Sequence, residues 1–122
     1  MITLETLQRW LLSEPKNEHL AFKEAQQQFD STKLLRYCVA LANEDGGHLV
    51  LGITDQRPRQ VVDTHAFMNN GTITARLLEA LRLRVQVQEL THPQGRVLVF
   101  DLPGRPLGTP LHVDGSYLPF WA

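Results

Sequence analysis

One short run constrains the fold most: residues His48 to Thr54, HLVLGIT, are almost wholly apolar. A run of this length and composition is typical of a strand that is covered on both faces, and such strands lie inside a sheet. Gly52 within the run predicts close approach by another backbone or side chain. The sequence therefore predicts a central strand in a sheet that carries helices.

Helical and strand patterns alternate around this central run. In chain order they predict a helix in residues 3–12, a strand in 19–25, a helix in 31–43, the strand 48–54, a helix in 73–83, strands in 85–90 and 96–102, and a hairpin in 111–118. This order predicts an α/β or α+β fold, in which a mixed β-sheet with packed helices ends in a C-terminal β-hairpin. We expect a single domain over residues 1–122, with an N-terminal amphipathic helix in 1–13 and a core in 14–118.

The ends of these elements carry recognisable signals. Asp30 or Ser31 is predicted to cap the helix of residues 31–43, and Thr72 the helix of 73–83. Asp45-Gly46-Gly47 is predicted to end the first of these helices, because glycine adopts the left-handed cap conformation without steric cost. The strand in 19–25 alternates apolar and polar residues, which predicts a half-buried strand with Lys23 on the solvent side.

The bulk composition excludes several classes of protein. The net charge is −1, so any contact with a polyanion must come from a local cluster of cations. The arginine clusters are Arg57/Arg59, Arg76/Arg82/Arg84 and Arg96/Arg105. The single cysteine, Cys38, excludes a disulfide within one chain, and its place in an apolar helical stripe predicts a buried thiol. The sequence shows no signal peptide and no apolar stretch of membrane-spanning length, so we expect a cytoplasmic protein with no membrane partner.

Other site chemistries find little support. None of the five histidines forms a pair with metal-ligand spacing. The Gly46-Gly47 turn follows a helix C-terminus, whereas a phosphate loop precedes a helix N-terminus, and the Walker pattern is absent. No ATP site is therefore predicted.

Two segments of the chain together form a specific set of motifs. They are the stretch HLAFKEAQQQFDSTKLLRYCVALANEDGGHLVLGITDQRPRQVV and the hairpin RVLVFDLPGRPLGTPLHVDGSYL. Over roughly residues 14 to 118 the chain resembles bacterial members of the Schlafen-type AlbA-like domain, also called a divergent AAA or DNA-binding domain. The resemblance implies a role with nucleic acid, either RNA or DNA. It also implies the activity of some Schlafen members, which are endoribonucleases that cleave structured RNA such as tRNA with a divalent metal, Mg²⁺ or Mn²⁺.

The acidic residues of the family are only partly present in this chain. The family pattern in the first strand is Glu-Phe-Lys, where this chain has Ala21-Phe22-Lys23. Nuclease members have another acid five residues before that glutamate, at the position of Lys16 here, and Glu18 does not align with it. Only Asp55, just after the second strand, matches a family acid. Phosphodiester hydrolysis needs clustered carboxylates around a metal. Either this domain binds nucleic acid without cutting it, or Ala21 is an inactivating substitution.

Three interpretations of function remain open from the sequence. The leading one is a nucleic-acid-binding domain whose cationic contacts are Lys23, Lys33, Arg36, Arg57 and Arg59. The second is a metal-dependent endoribonuclease, with Asp55 as the metal ligand, Lys23 as the phosphate stabiliser and Ala21 at the position of the missing ligand. The third is a protein-interaction or homo-oligomerisation module that uses the N-terminal helix and the terminal pair Phe120-Trp121. That pair would be costly to expose, so it is expected either to dock or to be followed by more chain.

Overall fold

The computed structural model describes residues 2–12, 19–104, 112–113 and 116–117 of the chain. Its elements, numbered in chain order, are α1 (Leu4–Leu12), β1 (Leu20–Lys23), α2 (Ser31–Asn43), β2 (Gly47–Leu51), α3 (Asn70–Leu81), β3 (Gln86–His92), β4 (Gly95–Leu102), β5 (His112–Val113) and β6 (Ser116–Tyr117). The predicted order of elements and the α+β class are confirmed. Lys16, Glu18, Arg105, Phe120 and Trp121 lie outside the described residues.

Four strands form one mixed sheet in the order β1-β2-β4-β3. β1 runs parallel to β2, while β2 and β3 each run antiparallel to β4. Because parallel neighbours need a crossover connection, the chain passes through α2 between β1 and β2. β5 and β6 pair as the predicted terminal hairpin. β2 is thus an inner strand, and Leu49, Val50 and Leu51 are fully buried, as the apolar run predicted.

Helices cover both faces of this sheet. α2 and α3 pack on one face, in a cluster that includes Leu34, Cys38, Leu41, Leu49, Leu77 and Phe100. α1 packs on the opposite face, in a cluster that includes Leu7, Trp10, Phe22, Val50, Val97 and Val99. The apolar side of α1 is therefore used within the domain. No helix in the described ranges has the length and apolar character that a membrane crossing requires.

The prediction of a half-buried first strand is wrong. Ala21 is 1% exposed and Phe22 is fully buried, because α2 covers one face of β1 and α1 covers the other. Only Lys23, at the end of the strand, is partly exposed. The alternation in the sequence distinguishes the α2 side from the α1 side rather than core from solvent.

The helix caps are partly as predicted. Asp30 is the N-cap of α2, and its carboxylate accepts hydrogen bonds from the backbone N–H of Thr32 at 2.7 Å and of Lys33 at 3.4 Å. The cap of α3 is Asn69 and not Thr72, because the Asn69 side chain accepts from the Thr72 N–H at 3.1 Å.

The end of α2 differs from the prediction in one respect. Asp45, not a glycine, takes the left-handed position directly after the cap, with φ 73°. The Gly46 N–H donates to the Leu41 carbonyl at 2.8 Å and the Asp45 N–H to that of Ala42 at 3.1 Å, the pattern of a Schellman motif. Gly47 is required next to it, because a Cβ there would overlap the backbone of His19, which precedes β1.

Gly52 has the role that the sequence predicted. Its φ is 98°, and a Cβ at this position would lie 2.7 Å from the Arg96 carbonyl oxygen. The β4 backbone can therefore approach the end of β2 only because residue 52 has no side chain.

Arg59 lies inside the domain, contrary to its predicted place on a cationic surface. It is 7% exposed, its Nη1 donates to the Trp10 carbonyl at 3.0 Å, and its guanidinium lies 4.2 Å from the centre of the Phe22 ring. A carbonyl in the last turn of α1 is thus satisfied by the loop that follows β2. Arg59 therefore stabilises the docking of α1 on the sheet.

Arg96, on β4, organises the segment that leads into α3. Its guanidinium donates to the carbonyls of Ala66 at 2.7 Å, Phe67 at 3.0 Å and Thr64 at 3.3 Å, and it pairs with Glu89 on β3. Its backbone N–H also donates to Asp63 Oδ1 at 2.8 Å. These bonds satisfy carbonyls that no helix or strand satisfies, so the side chain is structural.

Arg96→Gln is expected to lower the free energy of unfolding by about 2 to 4 kcal/mol, because several carbonyls and the Glu89 carboxylate lose a charged donor together. Urea denaturation followed by circular dichroism measures this change. The control is Arg84→Gln, since Arg84 is exposed, and we expect a change there within about 0.5 kcal/mol. Equal stability of the two variants would contradict the structural role of Arg96.

Candidate nucleic-acid interface

The end of β1 brings Lys23 against helix α2. Its ammonium nitrogen lies 5.1 Å from the centre of the Tyr37 ring, within the range of a cation–π interaction. The ring of Phe29, just before α2, packs against the same Tyr37 ring, and the two ring centroids are 6.3 Å apart. The lysine side chain is thus held at the helix, with a defined place for its charge.

Two further cations lie on the same helix. Lys33 and Arg36 are both exposed, and Lys33 lies one turn before Tyr37, so the two share a face of α2. Arg36 lies three residues after Lys33, which places these cations side by side on the helix surface. We call Lys23, Lys33, Arg36 and Tyr37 the α2 surface.

A second feature adjoins the ends of β1 and β2. A cleft of about 620 Å³ is lined by Glu24, Thr54, Asp55, Gln56, Arg57, Pro58 and Gln60. We call it the Asp55 cleft. It contains two carboxylates and one exposed arginine, and Asp55 is half-buried.

The parallel pairing of β1 and β2 explains why this cleft exists. Lys23 pairs with Leu51, so both strands end at the same edge of the sheet. The Gly52 N–H donates to the carbonyls of both Lys23 at 2.8 Å and Glu24 at 3.1 Å, which keeps the two chains together past the strand ends. The residues that follow each strand, Glu24 and Asp55, therefore border the same cleft.

Lys23 and Asp55 follow the sheet to the same edge, and there they border different features. Lys23 follows the alternation of β1 toward the α2 side and does not line the Asp55 cleft. Ala21 points to that same side, is buried beneath α2 and does not line the Asp55 cleft. The described residues thus give two adjoining surfaces: a cationic, aromatic one and a cleft with two acids.

Glu24 also lines the Asp55 cleft, and the sequence reasoning does not identify it. A position just beyond a strand end has no periodicity that would single it out. The signal that could have found it is the rule that residues after neighbouring parallel strands meet at one edge of the sheet. That rule needs β1 and β2 to be recognised as a parallel pair.

Other titratable groups do not extend the site. Burial raises the pKa of the Cys38 thiol to about 12, so it stays protonated and is not a nucleophile. Burial also lowers the pKa of His48, against the opposing effect of Asp101, and its ring lies 5.4 Å from that of Trp10 beneath α1. Across the described part of the chain, no three His, Cys, Asp or Glu side chains are grouped so as to hold a metal ion.

A family model supports the resemblance that the sequence motifs suggested. The model described as Schlafen, AlbA_2 matches residues 16–117 of this chain. No curated protein is significantly similar.

Two solved structures resemble the fold. The N-terminal domain of a RecG-related protein from Nitrosomonas europaea has a TM-score of 0.67 at 19% identity, and the match covers 98% of this chain and 85% of that domain. The DIP2311 protein from Corynebacterium diphtheriae has a TM-score of 0.60 at 18% identity, over 77% of this chain. The match spans only 19% of that longer protein. At these identities the two structures establish the similarity of the fold.

Ala21→Glu is expected to lower the free energy of unfolding by about 2 kcal/mol or more, because the new carboxylate would lose its water among apolar side chains beneath α2. Urea denaturation measures this change. Ala80→Glu, at an exposed position of α3, is the control and is expected to change stability by less than about 0.5 kcal/mol. Wild-type stability in Ala21→Glu would mean that a carboxylate at this position reaches solvent, and would restore it as a ligand position.

Proposed function

The chain belongs to the Schlafen AlbA_2 family, and from this membership and the geometry of its surfaces we propose that it binds nucleic acid through the α2 surface and Arg57. The family is one of nucleic-acid-related domains. The observation that carries the proposal is the position of the Lys23 ammonium, held over Tyr37 beside the two exposed cations of α2. This arrangement concentrates positive charge in a chain whose net charge is −1.

The chemistry of the α2 surface suits a phosphate backbone. Lysine and arginine side chains neutralise phosphates and release counterions from the nucleic acid, which gives binding that does not depend on base sequence. Arg57 is exposed and lines the Asp55 cleft, which adjoins the end of β1 that carries Lys23. Arg59 does not belong to this cationic surface, because its guanidinium is buried under α1.

We expect binding of tRNA and of single strands to fall steeply with salt. With about three phosphate contacts, the slope of log K against log salt is about −2 for a single strand. Fluorescence anisotropy from low to physiological salt measures it. Arg36→Ala, Arg57→Ala and Lys23→Ala should each weaken binding and make the slope shallower by about 0.7.

The matched control for this experiment is Arg84→Ala. Arg84 is also an exposed arginine, but it lies just before β3, the strand at the opposite edge of the sheet from β1. Its replacement should leave both the affinity and the slope unchanged. If all four replacements weaken binding equally, the affinity depends only on the net charge of the domain. That result would contradict binding through a defined surface.

A second candidate function is favoured by Glu24. Its carboxylate and that of Asp55 line one cleft with Arg57, although only Asp55 belongs to the family pattern of acids. Mg²⁺ and Mn²⁺ are commonly bound by one or two carboxylates, and water and a substrate phosphate complete the coordination shell of the metal. Arg57 would then neutralise charge that develops on the phosphate. The candidate reaction is metal-dependent cleavage of RNA, the activity of endoribonuclease members of the family.

This candidate predicts Mn²⁺-dependent cleavage of tRNA by the wild-type domain, lost on addition of a chelator. Asp55→Asn and Glu24→Gln should each reduce the rate by about a hundredfold, because a lost carboxylate weakens both metal binding and phosphate activation. Glu79→Gln, at an exposed position of α3, is the control. If the wild-type domain leaves tRNA intact at millimolar Mn²⁺ while binding it, this candidate fails and the binding function stands.

A further inference from the structure

A second cleft lies on the α1 side of the domain. Its volume is about 760 Å³, within the range of sites that hold small organic groups. The walls come from α1, from the loop after β2 and from the turn between β3 and β4, and they include Gln8, Leu11, Leu12, Arg57, Pro58 and Gln94. We call it the α1 cleft.

The lining of the α1 cleft combines exposed apolar groups with amides. Leu12 is 72% exposed at the end of α1, and Leu11 and Pro58 line the same cleft. Gln8, on α1, and Gln94, in the turn between β3 and β4, line the cleft and are exposed. A glutamine amide both donates and accepts hydrogen bonds, so each can read the polar edge of a planar ring. A ligand with flat apolar faces and a polar edge fits this lining.

The α1 cleft is continuous with the proposed nucleic-acid surface. Arg57 and Pro58 line both it and the Asp55 cleft, so the two clefts share a wall. A phosphate held at Arg57 would therefore have its own nucleotide beside the α1 cleft. This contiguity selects the ligand, because a nucleobase carries the required apolar faces and polar edge on the same backbone.

We propose that the α1 cleft receives an unpaired nucleobase of the bound strand, between the apolar side chains and the two amides. This inference rests on the proposed binding function and names its substrate class: a single strand, or a loop or bulge of structured RNA. A base inside a duplex is stacked and paired, so it cannot enter the cleft without being extruded. Arg57 joins the two parts of the site, since it borders both clefts.

The test compares two labelled strands of about 12 nucleotides, one with bases and one made of abasic residues with the same phosphates. Fluorescence anisotropy at constant salt gives both affinities. The wild-type domain is expected to bind the strand with bases about tenfold more tightly than the abasic strand. Leu12→Ser and Gln94→Ala should each bring this ratio close to one while leaving the affinity for the abasic strand unchanged.

Leu78→Ser is the matched control, because Leu78 is also an exposed leucine of a helix, 44% exposed, but lies on α3. It should keep the wild-type ratio. A wild-type ratio near one, with both strands bound, overturns the base site and leaves the binding function intact. A large ratio that neither Leu12→Ser nor Gln94→Ala changes also overturns it. If neither strand binds, the proposed function itself fails.

Discussion

The parallel pairing of β1 with β2 is the constraint on which the rest of the structure depends. It requires the crossover through α2, which places that helix on the face to which Lys23 points. It also makes both strands end at one edge of the sheet, so Glu24 and Asp55 enter one cleft. Had β1 paired in the opposite direction, the α2 surface and the Asp55 cleft would lie at different ends of the domain.

The fold was largely predictable because its signals are local. The apolar run HLVLGIT predicted an inner strand, the glycine within it predicted a close backbone approach, and both are confirmed. The errors concern features that depend on distant parts of the chain. The alternation of apolar and polar residues in β1 predicts a half-buried strand. Its second face is nevertheless covered by α1, a helix that lies earlier in the chain. A residue pattern cannot report which helix packs on which side.

The arginines show the same limit for the candidate site. Arg57 and Arg59 are two residues apart and look alike in the sequence, but one is exposed and the other lies under Trp10. Arg96 looks like a surface charge on a hairpin, whereas it satisfies carbonyls of the segment before α3. A buried guanidinium is stable only when carbonyls or rings surround it, and those partners come from elements far away in the chain. Composition therefore overestimates the cationic surface.

The bond between Arg59 and the Trp10 carbonyl has a consequence for how the domain opens. If α1 left the sheet, Arg59 would lose its hydrogen bond to the Trp10 carbonyl, and Val50 and Val99 on the sheet would be uncovered to water. The loss of this bond and the exposure of apolar surface arise in the same step, which disfavours an intermediate without α1. The helix and the sheet therefore behave as one cooperative unit. α1 is therefore a fixed wall of its cleft, and a ligand would meet a preformed surface.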